Sequence, residues 1–392
     1  VCADGVCLLP ACLETLGFPD PNFELVIREA VGKPEGDLVF ADVAGLTELW
    51  MTHAEIESIA GIECLVNLMS VRLDFNLISD LGPLSGLTLK ELFLGDNIIE
   101  DLSPLSSLTT LSALTLKYNL FSDVTPLAGL TNLVYLDLEA NPISDISALA
   151  DLTTLSILVV SFTEISDVSA LAGLTNLVTL DIAACQIDDI SGLAGLTQLK
   201  TLWLGENLVE DVTPLAELTN MYLLYLNDNQ ITDVSPLSDM TQLLGLYLQG
   251  NAISIIDGLS NMTGLAYVDL AANQLTDISA LAGLTGLQSL TLTENQISDI
   301  TPLSSLTGLV HLDLASNQVS DLSALQDLPS LFMLNASMNQ ILDLSPLVAS
   351  LWLDAGDWVD ITYNPLACSD QSANLQAIVD AGAFLQTGCS FD

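Results

Sequence analysis

Residues 130–151, LTNLVYLDLEANPISDISALAD, decide the fold, because the stretch returns every 22 residues with Leu, Asn, Ile and Asp in fixed places. Its Asn141 stands in a column that reads Asn76, Asn97, Asn119, Asn141, Asn207, Asn229, Asn251, Asn273, Asn295, Asn317 and Asn339. Thr163 and Cys185 fill the two missing steps, Ala54 begins the column and Asn364 ends it. That makes fifteen turns, all spaced by 22 except for a one-residue deletion before Asn97 and a three-residue insertion before Asn364. Within a turn, the alternating apolar residues around Leu136 and Leu138 fit a short strand with one buried face. The Asn that follows is dropped inside, where its amide must find partners. Stacked turns let each Asn bond the backbone of its own and neighbouring loops. The remainder, such as DISAL (145–149) or DVSPL (233–237), is too short for a full helix and reads as a single capped helical or 3₁₀ turn with Asp as N-cap.

One strand and one short helical turn per 22 residues is the pattern of an α/β repeat solenoid, a leucine-rich-repeat horseshoe with a parallel concave sheet. The expected organisation is an N-terminal cysteine-rich helical cap over 1–45, the array over 46–350, and the last turn with a C-terminal cap over 351–392. In the N-terminal cap, Phe23, Ile27, Ala30 and Val31 share one helical face, with Asn22 or Asp20 as the cap residue.

Composition bounds the function. Of 392 residues half are hydrophobic, and the charges are 50 Asp and Glu against 6 Lys and Arg, a net charge of −44. The cations Arg28, Lys33, Arg72, Lys90, Lys117 and Lys200 are scattered singly, which excludes nucleic acid as a partner and argues against an anionic membrane surface. No apolar run approaches the length of a transmembrane span. The chain begins at Val1 with no cationic head before an apolar stretch, so no signal peptide is expected within it. Of seven cysteines, Cys2, Cys7, Cys12 and Cys64 lie near one end and Cys368 and Cys389 near the other, which suggests disulfide-sealed caps in an oxidising compartment. A zinc site is the competing reading of the first cluster.

The 22-residue spacing with xIxDIxPL closing each turn resembles the bacterial internalin class of leucine-rich repeats. FPDPNFELVIREAVGK, residues 18–33, resembles the helical N-terminal cap of that class. The resemblance covers nearly the whole chain and implies adhesion or cell-surface recognition. It departs at the C-terminal end, where internalin arrays usually continue into an immunoglobulin-like domain. Here the array runs into a short helix near 373–381 and Cys389, a partner for Cys368. Two further bridges are expected among Cys2, Cys7, Cys12 and Cys64, leaving Cys185 as a buried free thiol in the Asn column.

No P-loop, GxSxG or HExxH motif is present, so an enzyme is not expected and no catalytic residues are assigned. His311 shares a strand face with Asp313, as a metal-binding or a solvated pair. Residues six, four and two places before the Asn column point outward on the sheet. Trp203, Tyr225 and Tyr247 stand consecutively four places before it, and Leu223 and Tyr267 join them from six places before. These five form the expected ligand-binding patch on the concave face, with Asp181, Glu206, Asp228 and Asp269 favouring a partner rich in basic or hydroxyl groups. The alternative is that bulky β-formers stabilise an exposed sheet. A secondary patch comprises Trp50, Phe75, Phe93, Tyr118 and Tyr135.

On the opposite side, an Asp lies four places after almost every column residue. Stacked like charges need screening or a bridging cation, so calcium along Asp123, Asp145, Asp167, Asp189 and Asp211 is the one cofactor considered. Asn261-Met-Thr and Asn335-Ala-Ser are glycosylation triplets. The expected function is a secreted or cell-surface, non-catalytic recognition module that binds an extracellular protein or glycan through the sheet. The alternative is a structural subunit of an extracellular layer or filament that self-associates with or without calcium.

Overall fold

The computed structural model describes residues 12, 15–350 and 352–389, together with the backbone of 2–3 and 6–7. The chain divides into two compact units, Val1–Gln198 and Leu199–Asp392.

The first unit opens with the hairpin β1 (Cys2–Ala3) and β2 (Val6–Cys7), in which Cys2 and Cys7 are paired antiparallel. Their side chains lie outside the described residues, and with them the expected second bridge. Cys12 is bonded to Cys64, which removes both from any zinc site. The cap helix α1 (Pro21–Val31) buries Phe23 and Ile27 of the expected face, whereas Ala30 is exposed and Val31 half-buried. Asp20, not Asn22, is its N-cap: Oδ1 accepts from the N–H groups of Asn22 (2.8 Å) and Phe23 (3.1 Å). The other oxygen, Oδ2, accepts from Glu57 N (2.7 Å) and Ser58 N (3.0 Å), so one carboxylate ties the helix to the first turn. Burial raises the Asp20 pKa, but these four donors outweigh it and the carboxyl titrates below its ordinary value. Phe18 packs edge-on to Phe23 at 5.4 Å and also lies over Gly61, whose φ is 102°. A Cβ there would stand 2.6 Å from the Phe18 ring, so only glycine allows the cap to seat.

A short helix α2 (Phe40–Val43) leads into seven parallel strands. They are β3 (Glu48–Trp50), β4 (Ser70–Arg72), β5 (Glu91–Phe93), β6 (Ala113–Thr115), β7 (Tyr135–Asp137), β8 (Ile157–Val159) and β9 (Thr179–Asp181). The second unit carries nine more: β10 (Thr201–Trp203), β11 (Leu223–Tyr225), β12 (Gly245–Tyr247), β13 (Tyr267–Asp269), β14 (Ser289–Thr291), β15 (His311–Asp313), β16 (Met333–Asn335), β17 (Trp358–Asp360) and β18 (Phe384–Gln386). Neighbouring strands within each unit pair one repeat apart, so equivalent side chains stand in rows across the sheet. The middle residue of each strand of the array is buried and its flanks face outward. Each turn returns through a 3₁₀ piece such as Thr125–Leu127.

The core is the stack of apolar columns. In one turn Leu130, Leu133, Leu136, Leu138, Ile143 and Leu149 are all 0% exposed. Each such side chain stabilises the fold by about 1.5–3 kcal/mol relative to exposure. The Asn column forms the expected spine. Asn119 Nδ2 donates to Leu94 O and Leu116 O, both at 3.0 Å, and Oδ1 accepts from Ile99 N at 3.0 Å. Thr163 and Cys185 keep only part of this pattern. Thr163 Oγ1 donates to Val160 O at 2.8 Å, while Ile143 N turns back to Asn141 O at 2.8 Å. Cys185 is free and half-buried, more open than its place in the spine suggests.

The three extra residues before Asn364 are absorbed where the 3₁₀ turn becomes the helix α3 (Ser345–Val348) and buried Trp352 donates its indole N–H to Leu325 O at 2.9 Å. Helix α4 (Ser372–Asp380), the Cys368–Cys389 bridge and β18, which follows the last Asn of the column, close this end. Among the described residues no helix is long and apolar enough to cross a membrane.

Candidate functional site

The rows place Trp203, Tyr225 and Tyr247 side by side on β10, β11 and β12. Their rings form one stack. Trp203 and Tyr225 are 5.6 Å apart with an interplanar angle of 11°, and Tyr225 and Tyr247 are 4.4 Å apart at 2°. All three are half-buried, and Asp269 is next in register after Tyr247. Leu223, Gly245 and Tyr267 form the parallel row, with Tyr267 39% exposed. Gly245 is the one position of this row without a side chain, a gap legible in the sequence between Leu223 and Tyr267. A Cβ there would meet Leu223 Cδ2 at 2.8 Å and Tyr247 Cε2 at 3.2 Å, so the absent side chain leaves the space over which the Tyr247 ring lies. Burial, followed by the adjoining Tyr225, pushes the Tyr247 phenol above its ordinary pKa.

The four acids expected around this patch do not occupy equivalent places. Asp269 faces outward on β13, and Asp181 does so on β9 in the first unit. Each also caps its own strand: Asp269 Oδ1 accepts from Ala271 N at 3.0 Å and Asp181 Oδ1 from Ala183 N at 3.1 Å. Asp137, Asp313, Asn335 and Asp360 repeat this bond, so an acid or amide four places before the column has a structural task. Burial raises the pKa of Asp137, Asp181 and Asp269 against these backbone donors. Glu206 and Asp228 lie off the strands, at the position before the column, with φ of 57° and 52°. Asp228 Oδ2 accepts from Asn227 Nδ2 at 2.9 Å.

That position is left-handed in every turn from His53 to Tyr363, and only Gly250 among its occupants is a glycine. The sequence shows no glycine column to announce it.

The secondary patch separates into two sets. Trp50, 69% exposed, Phe93 and Tyr135 lie on the strands, whereas Phe75 and Tyr118 occupy left-handed loop positions. Several members already have intramolecular partners. The Arg72 guanidinium lies 4.5 Å over Phe93, His53 stacks on Phe75 at 4.3 Å, and Tyr118 bonds Glu139 at 3.1 Å.

On the opposite side, each Asp of the column lies one residue before the N-cap of its 3₁₀ turn, as Asp123 does before Val124 and Asp145 before Ile146, and not at the N-cap itself as the spacing predicts. Asp123, Asp145, Asp167, Asp189 and Asp211 each accept a backbone N–H from the Ser or Thr two residues on, at 2.7–2.8 Å. Among the described residues, no three His, Cys, Asp or Glu side chains converge as metal ligands. Of the two glycosylation triplets, Asn261 is exposed, whereas Asn335 lies on the sheet and donates Nδ2 to Asp313 Oδ2 at 3.0 Å.

A family model for leucine-rich repeats in two copies matches residues 153–195, 197–239, 241–283 and 285–328. The structure is similar to that of an internalin, InlF of Listeria monocytogenes, with 36% identity over 83% of this chain and 97% of that one, at a TM-score of 0.80. The chain belongs to the internalin family. Two other solved structures share the fold. The functional domain of Listeria monocytogenes InlJ has 23% identity over 89% of this chain and 83% of its own, at a TM-score of 0.69. A leucine-rich-repeat protein of Leptospira interrogans has 19% identity over 88% and 97%, at 0.73. InlJ includes a cysteine ladder, whereas this internalin carries a single cysteine, Cys185, in its column. No curated protein matches the sequence. Internalin-like repeats are generally non-catalytic binding modules, and this chain shares their fold.

Proposed function

We propose that this internalin acts outside the cell or on its surface and binds a protein partner through the sheet face of its second unit. Trp203, Leu223, Tyr225, Tyr247 and Tyr267 are the anchors. The observation that carries the reading is the three-ring stack. Its rings are held by one another on a rigid sheet, so little side-chain entropy is lost on contact. Because the inner faces are mutually covered, the stack offers ring edges and phenol hydroxyls. A sugar ring stacks on an open aromatic face, so a polypeptide surface suits this geometry better than a glycan. From Leu199 onward the chain has 22 Asp and Glu against one cation, Lys200, which selects a basic partner. The Cys12–Cys64 and Cys368–Cys389 bridges support an oxidising, extracellular setting.

The test is capture on an array of purified extracellular protein domains by the intact chain and by its Tyr225→Ala/Tyr247→Ala variant. The reading predicts a basic domain held by the first and lost by the second. Undiminished capture by the variant would refute it.

A further inference from the structure

Two to five repeats beyond the stack, the same sheet face contains a hollow of about 250 Å³. Its wall is the register row His311, Met333 and Trp358, and its other side is the row Thr291, Asp313 and Asn335. Met333 is 37% exposed and Trp358 is half-buried, so a thioether and an indole are both accessible to an occupant. Asp313 is already oriented: Oδ1 accepts from Ala315 N at 2.9 Å and Oδ2 from Asn335 Nδ2 at 3.0 Å. A carboxylate has about four acceptor sites, so this one can take further donors. Asp269 and Asp360 stand in the same row, two strands away on either side of Asp313 in the repeat order. No Lys or Arg follows Lys200 in the sequence, so the chain after that residue has no cation of its own to place there.

We propose that this hollow receives a Lys or Arg side chain of the protein partner, a proposal that rests on the sheet face being the partner surface. The carboxylate supplies the counter-charge, while Trp358 and Met333 give the alkyl stem and the cation a polarisable wall. A bare metal ion fits poorly, since Asp313 and His311 are too few ligands and the space is far larger than an ion. An anion would meet Asp313 head-on.

The hollow can be tested without the partner. Nα-acetyl-arginine amide is titrated into the intact chain and read from the indole N–H resonances of Trp358 and Trp203, with the neutral isostere Nα-acetyl-citrulline amide as comparison. The expected result is a saturable shift at Trp358, at least fivefold weaker with citrulline, and no shift at Trp203. Asp313→Asn should weaken the arginine response at least fivefold, and the strand cap survives in that variant because Asn335 makes the same bond to Ser337 N. Met333→Lys, which supplies an internal cation and leaves Asp313 untouched, should abolish the response. Equal responses to arginine and citrulline, or an Asp313→Asn response equal to wild type, would overturn the proposal. Because the readout is Trp358 and not partner capture, failure here leaves the three-ring stack standing, and failure of the stack is seen separately in the capture assay.

Discussion

The rings of Tyr225 and Tyr247 lie 4.4 Å apart and within 2° of parallel, on adjacent strands of one sheet. Parallel register at a repeat spacing brings equivalent side chains together, so identical residues in consecutive turns stack without any special loop. The pair should therefore be energetically coupled. A double-mutant cycle with Tyr225→Leu and Tyr247→Leu, measured by urea unfolding, is expected to give a coupling of about 0.5–1.5 kcal/mol. Strict additivity would mean that the stack is a geometric coincidence.

The Asn spine makes a second prediction. Asn119→Ala removes the acceptor of Ile99 N and one of the two Asn donors to each of the Leu94 and Leu116 carbonyls, which keep Asn97 and Asn141, and should cost about 1–3 kcal/mol. Cys185→Asn should act in the opposite sense, restoring the missing amide and stabilising by about 1 kcal/mol. Hydrogen exchange at Ile165, twenty residues before it, should slow, because the equivalent N–H in other turns binds the next Asn Oδ1. Faster exchange in the variant would contradict this account of the spine.

The left-handed positions store strain that the rest of the turn overrides. Ala140, with φ of 55°, has no side-chain function that glycine would lose. Ala140→Gly is therefore expected to stabilise the chain by about 0.5–1 kcal/mol, the relief of the Cβ clash exceeding the extra freedom of the unfolded chain. Gly250→Ala should destabilise it, since φ is 71° and the added Cβ would collide with Asp228 Oδ1. Thermal melts of both variants check the pair of signs.

The two faces of the repeat should respond to acid in opposite directions. Asp123 and Asp211 are held below the ordinary carboxylate pKa by the side-chain and backbone donors of Thr125 and Thr213. Their stabilisation is present above the unfolded pKa of about 3.9 and is lost as the pH falls through the lower folded value. Asp137, Asp181 and Asp269 are raised by burial, so they impose a penalty that is full above their folded pKa and relieved as the pH falls below about 3.9. Asp269→Asn, which can keep the bond to Ala271 N, should raise the melting temperature at pH 7 and give no gain at pH 3. Calorimetry at the two values decides it; the same gain at both would show that desolvation is not the cause.

Periodicity made much of the fold legible. The Leu columns, the Asn spine and the outward rows all follow from a 22-residue spacing, and the helical face of α1 follows from Phe23 and Ile27. The pairing of Cys368 with Cys389 was readable because only those two cysteines lie near that end. What periodicity hides is what side chains do once they are in their rows. Asp181 and Asp269 read as ligand contacts, yet each is engaged in capping its strand. Phe75 and Tyr118 read as members of a sheet patch, but a left-handed backbone carries them off the strands. Strand β18 lies beyond the last Asn of the column, where the repeat offers no template. The stacking of Trp203, Tyr225 and Tyr247 was implied by register, but its tight parallel geometry at Tyr247 depends on a neighbouring glycine, Gly245.

The central claim is that the stack is the contact surface and that the Phe75 and Tyr118 loops are not. It is tested most directly by the dissociation constant of a captured partner domain for wild type, Tyr225→Ala/Tyr247→Ala and Phe75→Ala/Tyr118→Ala. A loss of about 30-fold or more is predicted for the first variant, corresponding to hot-spot truncation of about 2 kcal/mol or more, and less than about threefold for the second. An unchanged constant for Tyr225→Ala/Tyr247→Ala, or a larger loss from Phe75→Ala/Tyr118→Ala, would contradict it.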